Sequence, residues 1–227
     1  MTMAAPTLNT LVVAAVLACA TFSPTAAAGP AAPAKPQECR QPAYPRDALK
    51  LREAGITVIG FLIGPEGDVR DTKLLASSGS PSLDRAAQES LSKCAFKPGT
   101  KGGVPVLSWF PVAYTWVLDD DKDMARVKAA LAQALNRNKD DADALYRLSL
   151  LTTARAKTDA DRAGALALLR RAAELGKPYA QFVLGRRYER GEGVTQDIDT
   201  ALDWYEKAAA QGDVFAVDRL GFGELTY

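Results

Sequence analysis

The stretch LGRRYERGEGVTQDIDTALDWYEKAAAQGD, residues 184–213, decides the fold of the C-terminal half of this 227-residue chain. Its residues recur at an offset of 36 positions, as shown by the series Ala144, Ala180, Ala216 and the series Leu148, Leu184, Leu220. Six further residues have an identical residue 36 positions later. They are Asp161, Ala165, Leu166, Ala172, Ala173 and Gly176, which recur in that order as Asp197, Ala201, Leu202, Ala208, Ala209 and Gly212. A constant offset predicts one pair of helices per repeat, in which small alanines allow close approach and Gly176 and Gly212 end the second helix.

Residues 184–209 resemble a Sel-one-like repeat, a relative of the tetratricopeptide class. The preceding copy carries Ser149 in place of Gly185, and Arg155 and Lys157 in place of Gly191 and Gly193. Its first interhelical loop must therefore adopt another conformation. We expect residues 123–137 to form an entering helix, and the third copy, which ends at Tyr227, to cap the array over 122–227.

Residues 39–119 are predicted to form a small α+β unit. The apolar run 56–63, the hairpin loop 64–68 and the run 69–75 predict two paired strands. Ser80 is the predicted N-cap of a helix with Pro81 in its first position, after a shorter helix within 45–53. Val104 to Leu118, rich in Val, Trp, Phe and Tyr, is predicted as one long third strand.

This unit resembles the C-terminal domain of the TonB family. The resemblance rests on these stretches, in order: Tyr44-Pro45, Gly55-Ile56-Thr57-Val58, Gly67-Asp68-Val69, Ser77-Ser78-Gly79, Leu83-Asp84, Phe96-Lys97-Pro98 and Val104-Pro105-Val106. It implies a three-stranded antiparallel sheet with two helices on one face, so that the whole chain is an α+β domain followed by an all-α repeat array. It also implies a periplasmic domain that captures a short segment of an outer-membrane transporter as an added strand.

The N-terminal residues indicate export. The apolar run 11–20 is shorter than the roughly 20 residues that span a bilayer, so we interpret 1–28 as a signal peptide cleaved after Ala28. The alternative is a lipoprotein box ending at Cys19, which would carry the lipid. Residues 29–38 are predicted as a Pro/Ala linker of only ten residues, whereas the family's energy transducers have a membrane anchor and a long Pro-rich spacer.

Two cysteines remain after Cys19. In an exported chain, Cys39 and Cys94 suggest one disulfide, and a pair of inert buried thiols is the alternative. Closing a loop of about 56 residues would stabilise the fold by about 4 kcal/mol on the loop-entropy scale.

The composition disfavours most enzymatic and nucleic-acid functions. The chain has 28 basic residues, 27 acidic residues and no histidine, which removes His-based catalysis and His metal sites. No cluster of Cys, Asp and Glu has a metal-like spacing, and we expect no cofactor and no metal. Ser90 and Lys93 fit a Ser-x-x-Lys acyl-enzyme pattern, but Lys101-Gly102-Gly103 is not the Lys-Thr-Gly that should accompany it, so we interpret Ser90 as a small core residue.

Two prolines predict an edge strand. Proline has no N–H for a ladder, and Pro105 and Pro111 differ by an even number, so their nitrogens point to the same side of one extended strand. That side is predicted to face outward, which leaves the backbone groups of Ala113, Thr115 and Val117 unpaired as a template for strand addition. A cover formed by the repeats or by a second copy of the chain is the alternative.

The sequence therefore predicts a non-enzymatic, exported envelope protein. Its sheet domain would bind a protein or peptide partner, with an outer-membrane transporter segment as one candidate, and its repeats would offer a second surface. The alternative is a genuine TonB-type energy transducer for outer-membrane transport. Membrane attachment would require a lipid on Cys19 or an uncleaved N-terminus.

Overall fold

A computed structural model describes residues 34–221 of the chain. The predicted signal peptide, Cys19 and the start of the predicted linker lie outside the described residues, as do residues 222–227. Within the described range, no helix combines the length and the apolar character needed to cross a membrane.

The N-terminal part is built on a three-stranded antiparallel sheet, which confirms the predicted α+β class. The sheet has the order β3-β2-β7. Two two-stranded sheets, β1 with β4 and β5 with β6, flank it. The elements of this part are β1 Lys35–Glu38, α1 Arg46–Lys50, β2 Gly55–Ile63, β3 Val69–Ala76, α2 Pro81–Leu91, β4 Ala95–Lys97, β5 Gly99–Lys101, β6 Val104–Val106 and β7 Ser108–Trp116.

The predicted third strand is two strands. Residues 104–106 belong to β6, which folds back on β5 with Lys101 opposite Val104. The turn between them consists of Gly102 and Gly103, whose positive φ angles of 60° and 79° suit a tight hairpin. The prediction of one strand from Val104 to Leu118 is therefore wrong, because a run of β-forming residues does not reveal where the chain changes its pairing partner. Pro105 lies outside the main sheet.

The predicted linker is also partly structured. Residues 35–38 form β1 and pair with β4 next to the disulfide between Cys39 and Cys94. That disulfide was predicted from the sequence and is confirmed, with a Cα–Cα distance of 4.7 Å. It holds the chain entering the domain against the segment that follows α2. A Pro/Ala-rich composition did not reveal this strand because its ladder partner lies far along the chain.

Helix α2 begins as predicted. The Ser80 side chain accepts from the Leu83 N–H, and Pro81 occupies the first turn. The helix ends at Leu91, so Cys94 lies in the segment that follows it.

The C-terminal part is all helical, as predicted. The array consists of α3 Asp120–Arg137, α4 Ala142–Ala154, α5 Asp159–Glu174, α6 Pro178–Arg190, α7 Ile198–Ala209 and α8 Val214–Gly221. Helix α3 is the entering helix; α4 and α5 form one repeat, α6 and α7 the next, and α8 is the first helix of a third copy.

The two repeats turn differently, as the substitutions predicted. Gly191 ends α6 in the left-handed conformation with a φ of 67°, whereas Arg155 ends α4 with a φ of −117°. Gly185 is a second point of difference: a Cβ there would lie 2.7 Å from Cε1 of Tyr205. In the first repeat, Ser149 corresponds to Gly185 and Leu169 corresponds to Tyr205. Because leucine has no ring at this position, the side chain of the buried Ser149 fits there.

The sheet has a core on each face. On one face, Ile59, Phe61 and Ile63 of β2 pack with residues of α1 and α2. On the other, Ile56 and Val58 share a core with residues of α3, α4, α6 and α8, among them Val127, Tyr146, Tyr179 and Phe215. The repeat array therefore covers the face of the sheet that α1 and α2 leave open. Alternation along β2 explains this arrangement, since successive side chains point to opposite faces.

Candidate strand-docking edge

Strand β7 is one of the two edges of the main sheet. It pairs with β2 in an unbroken register from Ser108↔Ile63 to Trp116↔Gly55. The other edge, β3, pairs with β2 through two register shifts, next to Ile59 and next to Ile63. Bulges of this kind protect an edge against the addition of strands. Among the described residues, β7 is therefore the regular edge and β3 the interrupted one.

The register fixes which backbone groups of β7 point away from β2. Opposed residues in an antiparallel pair alternate between hydrogen-bonded and non-hydrogen-bonded positions. Pro111 lies opposite Gly60 and cannot donate, so odd-numbered residues occupy the non-hydrogen-bonded positions.

The three predicted docking residues differ in their positions. Ala113 and Thr115 lie within β7, and both are exposed. Val117 follows the last residue of the strand, and its side chain packs against the core shared with the array. On the opposite face, Val112, Tyr114 and Trp116 pack into the core formed with α1 and α2.

Helices of the repeat array contact both ends of this edge. At one end, Oδ2 of Asp123 in α3 accepts the N–H groups of Leu118 at 2.7 Å and Asp119 at 2.8 Å. These two backbone bonds hold the pKa of the Asp123 carboxyl below its usual range. At the other end, the Trp109 ring contacts the Phe215 ring of α8, and burial raises the pKa of the Asp218 carboxyl in the same helix to about 6. The backbone between these ends is the candidate docking edge, residues 111–117.

A buried polar network supports the inner side of the edge. Trp116 Nε1 donates to Thr57 Oγ1 at 3.2 Å, and Thr57 donates to Asp84 at 2.8 Å. Asp84 also accepts the N–H of Ser78. The guanidinium of Arg147 in α4 donates to the carbonyl of Ser78, so the first repeat is tied to the same network. The sequence did not predict this network, because Asp84 appeared only as part of the motif Leu83-Asp84 and its partners Thr57 and Ser78 lie on other elements.

The end of the array also contacts the sheet directly. The Phe215 ring of α8 lies 5.9 Å from the Trp109 ring, centroid to centroid, and a Cβ on Gly60 would meet it at 2.9 Å. Across the sheet, Lys73 Nζ of β3 donates to the carbonyl of Gly212 at 2.9 Å. Tyr179 and Phe182 are buried beside Phe215. These aromatic side chains line the contact with the sheet.

Other candidate sites have simpler explanations. The Ser90 hydroxyl donates to the Arg40 carbonyl at 3.2 Å, and Lys93 is exposed. The Gly191–Gly193 turn borders an open groove of about 610 Å³ whose lining includes Arg170 and Tyr188, but no residue of β7 or α8 lines it. Within residues 34–221, no group of three or more Cys, Asp and Glu side chains could hold a metal ion.

Comparison with known families defines the class of this protein. Residues 40–118 match the family described as Gram-negative bacterial TonB protein C-terminal, and residues 142–177 and 178–213 each match the Sel1 repeat. The chain thus combines a TonB C-terminal domain with Sel1 repeats, as the sequence motifs predicted.

Individual relatives are similar over one part of the chain at a time. The chitin synthase regulator SKT5 of Saccharomyces cerevisiae is 48% identical over 50 residues, which are 22% of this chain and 7% of that protein. Protein TonB of Vibrio cholerae is 36% identical over 66 residues, 29% of this chain and 27% of that protein. The chain thus matches only a small share of the length of either relative. A Sel1 repeat protein from Oxalobacter formigenes superposes with a TM-score of 0.35 and 31% identity, covering 45% of this chain and 90% of that one.

Proposed function

We propose that this protein is an exported envelope module that captures an extended peptide segment of another protein as an added strand on β7. The backbone groups of Ala113 and Thr115, with those of Val117 just beyond the strand, make the first contacts. Affinity then comes from main-chain hydrogen bonds, and selectivity comes from side chains on the two faces of the sheet.

The single observation that carries this proposal is the asymmetry of the two sheet edges. β3 carries two register shifts, whereas β7 runs without a bulge and ends in an exposed, regular stretch. A long regular edge is a template for pairing, and proteins that do not use such an edge interrupt it or cover it. The array contacts β7 at Trp109 and leaves the side chains of Ala113 and Thr115 exposed.

The disulfide supports a periplasmic location. The bond between Cys39 and Cys94 belongs to an oxidising compartment, and a signal peptide over 1–28 would deliver the chain there. Cleavage after Ala28 gives a soluble periplasmic protein, and a lipid on Cys19 gives a membrane-tethered one. The intact mass of the mature protein distinguishes these two forms.

A TonB-type transducer is the second candidate function. The similarity of residues in the 40–118 domain to proteins named TonB favours it. A transducer needs an N-terminus that remains in the membrane, so a mature protein that begins at Gly29 argues for the soluble adaptor. Strand capture on β7 is common to both candidates.

The experiment that tests strand capture compares two proline variants. Thr115→Pro removes an outward N–H and should abolish binding of a peptide selected from a displayed random library, while the melting temperature stays close to that of the wild type. Tyr114→Pro removes an N–H that bonds to β2 and should lower the melting temperature instead. Peptide binding should also slow the amide hydrogen exchange of Ala113 and Thr115.

Three results would contradict the proposal. The first is full peptide binding by Thr115→Pro. The second is slowed exchange that maps to β3 instead of β7. The third is a wild-type protein that sediments as a dimer and becomes a monomer in Thr115→Pro, which would identify a second copy of the chain as the occupant of the edge.

A further inference from the structure

Two arginines lie at the Leu118 end of the docking edge, just beyond the last residue of β7. Asp123 of α3 accepts the N–H groups of Leu118 and Asp119 through Oδ2, which places its carboxylate at that end. Nη2 of Arg126 lies 3.0 Å and Nη2 of Arg52 lies 3.5 Å from the other oxygen, Oδ1. Arg52 precedes β2 and Arg126 belongs to α3, so the sheet domain and the repeat array each supply one guanidinium.

The two guanidiniums share a single carboxylate. Asp123 is fully buried, whereas the side chains of Arg52 and Arg126 are 53% and 48% exposed. The N–H groups of Asp119 and Leu118 lower the pKa of the Asp123 carboxyl more than either arginine does, so the backbone already satisfies much of this charge. Of the two positive charges that reach the surface here, one is therefore in excess.

The acidic groups close to this cluster in sequence have other partners. Asp119 pairs with Lys122 at 3.2 Å, Asp121 pairs with Arg155 at 3.1 Å, and Glu53 accepts from the Ser80 hydroxyl at 2.6 Å. Within residues 34–221, the guanidinium of Arg52 donates no hydrogen bond, and its contact with Asp123 is the long one of 3.5 Å. Its N–H donors are therefore available to a ligand.

The backbone of Arg52 makes arginine an unexpected residue at this position. It has a φ of 48°, and it follows the C-cap of α1 at a helix end that glycine usually occupies, where the Glu53 N–H bonds to the Ala48 carbonyl. A side chain other than glycine costs stability there, and the fold of the domain gains little from the guanidinium. Strain of this kind is found where a side chain serves binding.

A segment captured on β7 passes this cluster. Its ladder contacts are with Ala113 and Thr115, and with Val117 just beyond the strand, so the next residue of the segment lies beside Leu118 and the two arginines. An added strand lies about 4.8 Å from its neighbour, a distance that the side chains of arginine and of an acidic residue together span. A carboxylate at this position can accept hydrogen bonds from both guanidiniums, whereas a cation is repelled.

We propose that Arg52 and Arg126 form a carboxylate clamp, which selects extended segments that carry Asp or Glu at the residue beside Leu118. This inference rests on the proposed strand capture and adds the chemistry of the captured segment, an extended stretch with one acidic side chain at a defined end. Because Arg126 belongs to α3, the repeat array takes part in recognition.

The test uses full-length variants that each remove one guanidinium. Arg52→Gly removes the cation and places glycine at a φ of 48°, so its melting temperature should stay close to that of the wild type. Arg126→Gln removes the cation of α3. The matched control is Arg162→Gln, which removes the same charge from α5 of the first repeat.

The probe is a peptide selected on the wild-type protein from a displayed library of random nine-residue peptides, with Thr115→Pro as the control for edge binding. We expect selected peptides to carry Asp or Glu near one end. The best peptide is synthesised with an acetylated N-terminus and an amidated C-terminus, so that only side chains are charged. Replacing its acidic residue by the corresponding amide should weaken binding to the wild type by about five- to tenfold.

The same replacement should matter much less in Arg52→Gly and Arg126→Gln. In Arg162→Gln it should weaken binding as much as in the wild type, because that variant changes the net charge and leaves the clamp intact. The difference between the acidic peptide and its amide should also shrink as the salt concentration rises. If Arg52→Gly fails to fold, Arg126→Gln decides the question alone, since the clamp needs both guanidiniums.

The outcomes separate the two proposals. Peptides that depend on Thr115 but carry no acidic end would overturn the clamp and leave strand capture intact. So would a carboxylate effect of equal size in the wild type, Arg52→Gly and Arg126→Gln. A library that yields no peptide sensitive to Thr115→Pro would overturn both proposals.

Discussion

The Phe215 ring lies directly against the backbone of Gly60, so the last described helix of the array touches the middle of the central strand. A Cβ at residue 60 would lie 2.9 Å from Cε2 and 3.0 Å from Cζ of Phe215. Glycine at this position is therefore a requirement of the contact between the sheet and the repeats. It is also the residue opposite Pro111, which begins the candidate docking edge.

Gly60→Val should displace α8 from the sheet. Because the new Cβ alone would lie 2.9 Å from the Phe215 ring, and valine adds two methyl groups to it, we expect the free energy of unfolding to fall by about 2–3 kcal/mol, measured by chemical denaturation. Gly164→Ala is the matched control, since residue 164 lies in α5 with no atom near a new Cβ, and it should raise stability by about 0.5–1 kcal/mol. Equal effects of the two variants would contradict the contact.

Removal of residues 213–227 tests the role of the third copy. The deletion takes away Phe215 and so uncovers Trp109, Tyr179 and Phe182, which contact its ring. We expect a lower melting temperature, binding of a hydrophobic dye and concentration-dependent aggregation. An unchanged melting curve would show that α8 does not cap the array.

We expect the ionisation of Asp123 to make the free energy of unfolding depend on pH. Its folded-state pKa is lowered by the backbone bonds from Asp119 and Leu118, so its stabilising contribution is present above the unfolded pKa and is lost as the pH falls through the folded pKa. Asp123→Ala should cost about 3 kcal/mol at pH 7 and much less in strong acid, by denaturation at each pH. Asp159→Ala, an exposed carboxylate paired with Arg162, should cost less than 1 kcal/mol at either pH. A constant cost of Asp123→Ala across this range would refute the assignment.

Reduction of the disulfide should weaken the N-terminal part more than the array. The Cys39–Cys94 bond closes a loop with a sequence separation of 55 residues, and its loss should cost up to about 4 kcal/mol. A Cys39→Ser, Cys94→Ser double variant should therefore unfold at lower denaturant and become insensitive to reductant. Amide exchange should accelerate first in β1 and β4. Wild-type protein that unfolds identically with and without reductant would contradict this expectation.

The sequence predicted those features that local patterns or a fixed offset encode. Ser80 and Pro81 begin α2 as their capping chemistry requires, and the 36-residue offset places α4 to α7. The edge character of β7 followed from proline chemistry, although Pro111 alone carries it and Pro105 lies in another sheet.

Features that depend on contacts between distant segments were not predicted. No local pattern at Ala113 or Thr115 indicates that the array covers the adjoining face of the sheet. One signal was available at Gly60, because a glycine inside an apolar strand is typical of close approach by another part of the chain. No such signal marks Leu107, the residue that separates the end of β6 from the start of β7.

The cover that the repeats place on the sheet has a thermodynamic consequence. Ile56 and Val58 belong to the same core as Tyr146 and Phe215, so neither part can unfold without exposing apolar surface on the other. Two segments that match different sequence families should therefore melt in one calorimetric transition, with equal calorimetric and van't Hoff enthalpies. Either segment expressed alone would lack part of the core that the two segments share. The junction between them therefore separates two sequence families, but it does not separate two units that unfold independently.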